Sequence, residues 1–274
     1  MTAKEDRPAQ GREEKKPRAF PAPVGFGGTM RAAGLCYRSH FTQLFLLFTL
    51  VYIALYLVPL AFPFEVSGAA ELPVVMVFLV ILPTLGASLA AGIAAVVIGD
   101  GIAGVHTTMG EARRRLSPHA RDVLAAALFA ALIATILVVI LGPIGQLVMY
   151  SIIGPPIVVH AVTLESKPFS GAWRRARELV RMEAMRIFVY VINVALGITL
   201  VVQGSIRTVA YATRDAADGL QAVVLSLFGG VLLGLTIPFL VATGVVSYLD
   251  LRARKEDLDA GSWHEERARE AEPA

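Results

Sequence analysis

The chain has 274 residues, 55% of them hydrophobic and only 17% charged, with a net charge of +3 and a mean hydropathy of +0.63. A soluble domain carries about 25% charged residues; here the deficit is gathered in long runs without Asp, Glu, Lys or Arg, which excludes one large soluble core and points to membrane spans. The basic residues flank those runs, so an anionic membrane surface, not nucleic acid, is the expected partner.

Residues 1–24 are charged and hold Pro8, Pro17, Pro21 and Pro23. They lack the apolar stretch of a signal peptide and read as a disordered cytoplasmic tail. A membrane domain follows over 25–254. A span needs roughly 20 apolar residues to cross the hydrocarbon. The first is expected at about 41–62 and the second at 72–98, with Pro83 and Gly86 suggesting a kink. No Asp, Glu, Lys or Arg occurs over the 42 residues from Val123 to Leu164. One helix of that length would be about 63 Å, twice the hydrocarbon thickness. Gly142-Pro143-Ile144-Gly145 breaks the run near its middle, giving spans at 123–141 and 146–164. The fifth falls at 187–206 and the sixth at 223–248. Residues 255–274 read as a loose, polar cytoplasmic tail.

Charge placement supports the split. With six spans, 23 of the 25 Lys and Arg lie on one face, and only Arg207 and Arg214 on the other. Leaving the long run whole would give 14 against 11. Positive residues stay inside, so both termini are expected in the cytoplasm. The fold class is therefore an all-α integral membrane protein with six transmembrane helices. The excess of Arg over Lys, with abundant Ala and Gly, suggests a GC-rich bacterial genome. The expected location is the inner (plasma) membrane.

A short basic segment precedes each odd-numbered span: 28–38, 110–116 and 171–181. The chain thus reads as three copies of one unit, an interfacial amphipathic helix and then a pair of spans. In the third segment Trp173, Ala176, Leu179 and Val180 share one face, and Ser170 is placed to cap the helix. Thr108-Met-Gly-Glu111 has the pattern of a capping box. The expected lipid-headgroup residues are Arg113, Arg114, Arg115, Arg174, Arg175, Arg177 and Arg181. The bland alternative is that these helices only fix topology.

Polar residues near hydrocarbon are functional candidates because burying them is unfavourable. Asp100 and His106 fall at the inner end of the second span, His160 in the inner half of the fourth and Glu165 at its boundary. Gln146, Asn193 and Gln203 fall in or near others. Asp100 and Glu165 are expected at a water boundary, Glu165 pairing with an Arg of the following helix. His160 is expected to hydrogen-bond between helices. Ala87, Ala91 and Ala95, and likewise Gly230 and Gly234, recur every four residues and should pack helices closely. No GxSxG, Walker A, HExxH or CxxC motif occurs, and Cys36 is the single cysteine. The five histidines lack ligand spacing, so neither metal nor cofactor is expected.

Three stretches carry a resemblance: Pro155 to Glu165, Gly171 to Val180, and Tyr248-Leu-Asp-Leu-Arg-Ala-Arg-Lys-Glu256. An apolar span ending in Glu, a short Ala/Arg helix, and a last span closing on Tyr-x-Asp-x-Arg-x-Arg resemble the glycerophosphoryl diester phosphodiesterase membrane domain, over roughly 25–259. Some relatives fuse this region to a phosphodiesterase domain. No counterpart of it is expected in this chain, so the resemblance implies a membrane fold and no such activity. The expectation is a non-catalytic accessory or lipid-interacting protein. A small transporter or channel is the alternative, on the Pro- and Gly-interrupted spans, and a membrane-embedded enzyme acting on lipid ranks last.

Overall fold

The computed structural model describes residues 26–61, 82–141, 155–180, 184–214 and 217–271. The disordered-tail expectation for 1–24, the turn at 142–145, Gln146 and Arg181 lie outside them. Among the described residues the chain is all helix, without a strand. The helices are α1 (Phe26–Ser39), α2 (Phe41–Ala61), α3 (Leu82–Ala103), α4 (Met109–Leu116), α5 (Ala120–Leu141), α6 (Pro155–Glu165), α7 (Phe169–Val180), α8 (Ala184–Ala212), α9 (Asp218–Glu256) and α10 (Ala260–Ala271).

Two of them, over Leu85–Ala103 and Gly219–Glu256, are long and apolar enough to cross a membrane. A third span arises if α1 and α2, bent by 84° at their junction, count as one unit. The described residues thus give two or three candidate spans against the six expected. Part of the second span and half of the fourth lie outside them. The sixth is longer than expected: α9 has 39 residues, about 58 Å of helix, and projects well past a hydrocarbon layer.

The core gathers around α3. Ala90, Ala94, Ala95 and Ile98 pack with Val158, Val162 and Leu164 of α6 and with Val241, Val245 and Leu249 of α9. Small residues allow that approach. A Cβ on Gly234 would lie 2.7 Å from the Thr49 Cα, and one on Gly230 would lie 2.9 Å from the Ile53 nitrogen. The Gly230/Gly234 face therefore seats α9 on α2, as its spacing predicts. Outside, Leu124, Leu128 and Leu132 form one exposed apolar stripe, and Leu220, Val223, Leu227, Val231 and Leu235 another. Such stripes suit hydrocarbon, not water.

Helix ends follow local chemistry. Thr108 makes the capping box, its hydroxyl accepting from the Glu111 amide and its own amide donating to Glu111 Oε2 at 2.7 Å. Ser170 does not cap α7, which starts one residue earlier. The Phe169 amide donates instead to Asp122 Oδ1 of α5 at 2.8 Å. Gly104, at φ 79°, closes α3 in a Schellman turn: the amides of Val105 and Gly104 donate to the carbonyls of Asp100 and Gly101. Asp257, at φ 52°, ends α9 and turns the chain back. The polar segment after it is therefore not loose: α10 folds against the bundle and buries Trp263 completely.

Candidate functional site

The short helices and the C-terminal ends of α3, α6 and α9 meet at one end of the bundle, where two linked ion-pair clusters form. The first surrounds Asp100. Its carboxylate is fully buried and accepts from Thr107 Oγ1 at 2.5 Å, Arg115 Nη1 at 2.8 Å and Arg267 Nε at 2.6 Å. Arg267, only 1% exposed, also donates to the Leu164 carbonyl at 3.1 Å and to Glu270. Asp100 thus lies away from water, contrary to the expectation from its place at a span end. A buried carboxylate survives ionised only with partners of this kind.

The second surrounds Glu165. Arg175 Nε of α7 donates to both of its oxygens, at 3.1 and 3.0 Å, the pairing expected from sequence. Lys167 Nζ lies 2.9 Å away and Arg252 Nε 3.5 Å, and the Tyr248 hydroxyl donates to the same carboxylate. Burial pushes the Glu165 carboxyl up, but the Tyr248 and Lys167 hydrogen bonds and the Arg252 and Arg175 charges outweigh it and hold it below its usual value. Arg252 grips Glu266 of α10 with both terminal nitrogens at 3.1 Å. It also reaches Glu256 at 2.9 Å, which in turn pairs with Arg175.

Trp263 joins the clusters. Its ring lies 5.5 Å from the Arg252 guanidinium carbon and 5.4 Å from that of Arg267, within cation–π range. Its Nε1 donates to the Gly99 carbonyl at 3.1 Å. Each glycine of the 99–104 stretch has a place here. Gly99 lets Leu164 and Trp263 close in, and a Cβ on Gly101 would lie 2.6 Å from the His40 ring; Gly104 ends the helix.

The candidate residues therefore divide. Asp100, Glu165, Arg115 and Arg175 come together in the network, so the last two have their guanidiniums on carboxylates, not facing lipid. Arg113, Arg114, Arg174 and Arg177 stay exposed. His160 is buried beside Gly244 and packs edge-on to Tyr248 at 6.2 Å. Neither ring nitrogen has a hydrogen-bond partner among the described residues, against the interhelical bond expected. Sequence reasoning missed Arg267, Trp263 and Glu266, and it marked Arg252 only through the resemblance. The signal available was Trp263 and Arg267 four apart in an otherwise polar segment, one helical face.

Chemically the network is a clamp: it neutralises two carboxylates that the bundle buries and ties α3, α6, α7 and α9 to α10. Among the described residues no group of three His, Cys, Asp or Glu is placed to hold a metal ion. No family model matches the chain, nor does any curated protein or solved structure.

Proposed function

We propose that this is a six-span inner-membrane protein with both termini cytoplasmic, and that it acts as a non-catalytic component engaging anionic lipid. One observation carries the reading. Each short helix preceding a long apolar one presents two exposed arginines with no carboxylate in ion-pair contact among the described residues: Arg31 and Arg38 on α1, Arg113 and Arg114 on α4 (Arg114 only senses the charge of Glu111), Arg174 and Arg177 on α7. Such guanidiniums suit phosphate oxygens at the headgroup level. The same helix order supports three repeats of one unit. The residues behind the resemblance to the phosphodiesterase membrane domain (Glu165, Arg175, Tyr248 and Arg252) meet in one cluster, which supports reading them as the structural signature of such a domain.

The test is lipid retention by native mass spectrometry in mild detergent. Replacing Arg113, Arg114, Arg174 and Arg177 with Gln should lower retained phosphatidylglycerol while the protein still inserts. Equal retention would sink the lipid reading. For topology, a cysteine at Ser166, with Cys36 replaced, should be labelled from the cytoplasmic side alone. The alternative, a small transporter or channel, draws on the unpartnered His160 ring and on Pro238 inside α9. Solute uptake by proteoliposomes, lost in His160→Ala, would favour it.

A further inference from the structure

We propose that the cleft at the elbow between α1 and α2 binds a phosphate ester. The inference rests on the reading above only in assigning that phosphate to a membrane lipid. The two helices meet at 84° with only His40 between them. Across the elbow lies the segment after α3, and the two enclose a cleft of about 620 Å³ lined by Arg38, His40, Thr42, Gln43, Gly104 and His106, among others. Among the described residues no carboxylate lines it. The nearest one in sequence, Asp100, is already held by Arg115 and Arg267.

The cleft is held in shape. The Tyr37 hydroxyl donates to the Leu235 carbonyl of α9 at 2.8 Å, just before Pro238, and the Tyr37 ring packs on Phe41 and Phe239. His40 Nδ1 lies 3.0 Å from Ser39 Oγ and 3.2 Å from the Cys36 carbonyl. Its ring rests on Gly101, where a side chain would collide. Ser39 and Thr107, also on the lining, donate their hydroxyls to the Cys36 carbonyl and to Asp100, and four polar side chains remain uncommitted. Arg38, Thr42, Gln43 and His106 are exposed and have no side-chain hydrogen bond or ion pair among the described residues.

A fork-shaped guanidinium, two imidazoles, a hydroxyl and an amide around a cavity without a competing carboxylate match a tetrahedral oxyanion. The start of α2 at the same place adds positive potential but does not carry the argument. A phospholipid headgroup and a soluble phosphate monoester share this chemistry.

The experiment titrates the full-length protein, in a maltoside detergent without phosphate, with dihexanoyl phosphatidylglycerol and separately with glycerol phosphate. Arg38→Gln combined with His106→Gln should weaken binding about tenfold or more, as loss of charge-assisted hydrogen bonds does. Arg121→Gln, exposed at the start of α5 and outside the cleft, should not. If the double variant fails to fold, Arg38→Lys, which keeps the charge and loses the fork, should still weaken binding. Preference for the lipid probe identifies a headgroup, and equal binding identifies a soluble ester. Binding of neither probe, or unchanged affinity in the folded variants, overturns the proposal. If the four-arginine variant of α4 and α7 loses phosphatidylglycerol while the elbow variants bind both probes normally, the elbow site falls and the wider lipid reading stands.

Discussion

Arg267→Met should release α10 from the bundle. The side chain is 1% exposed and its partner Asp100 is fully buried, so the variant leaves a buried carboxylate short of one cation. Removing one member of a buried pair costs roughly 3–5 kcal/mol. Asp100 keeps Arg115 and Thr107, which places this case at the low end, about 3 kcal/mol or on the order of a hundredfold in the docking equilibrium. Hydrogen exchange read by mass spectrometry on peptides covering 257–271 would report it as faster exchange of α10, with the α9 core unchanged. Combining Asp100→Asn with Arg267→Met should cost less than the two single changes added, because the second removes the charge the first leaves stranded. Unchanged exchange in Arg267→Met, or strict additivity in the cycle, would refute the claim that this pair holds the helix down.

Other expectations follow from the same packing. Gly234→Ala places a methyl against the Thr49 backbone and should destabilise by at least the 1–3 kcal/mol typical of overpacking. Gly204→Ala, with nothing within 4 Å of the new carbon, should be neutral or stabilise by up to about 1 kcal/mol; thermal unfolding in detergent compares the two. Arg115→Gln and Arg175→Gln should lower the melting temperature and leave lipid retention near normal, the reverse of the exposed arginines. Because the Glu165 carboxyl is held below its usual value of 4.5, its stabilising effect is present above that pH and is lost as pH falls through the depressed value. Melting temperature should therefore drop on acidification below pH 4.5, and Glu165→Gln should flatten that drop.

Local features were legible in the sequence. The Thr108 capping box, the Gly230/Gly234 packing face and the Glu165–Arg175 pair each depend on residues near one another or on a helical period, and all three are present. Ser170 failed as a cap because the acceptor at the start of α7 comes from Asp122 on another helix, 47 residues away. Side chains that cap across helices leave no local pattern.

The same reasoning explains the largest miss, α10. Its sequence, Ala-Gly-Ser-Trp-His-Glu-Glu-Arg-Ala-Arg-Glu-Ala, is polar enough to read as a tail, and hydropathy ranks it with solvent. What holds it is not a broad apolar face but Trp263 and Arg267, whose partners Gly99 and Asp100 lie 164 and 167 residues earlier. Asp100 looked like a boundary residue for the complementary reason: the chain around it contains no hint of the cation that buries it. A charged group at the end of an apolar run is thus ambiguous between facing water and facing a distant counter-ion. Here the ambiguity resolves inward for Asp100, Glu165, Arg115 and Arg175 and outward for Arg113, Arg114, Arg174 and Arg177. That division, between arginines already holding carboxylates and arginines without them, separates the clamp from the surface offered to lipid.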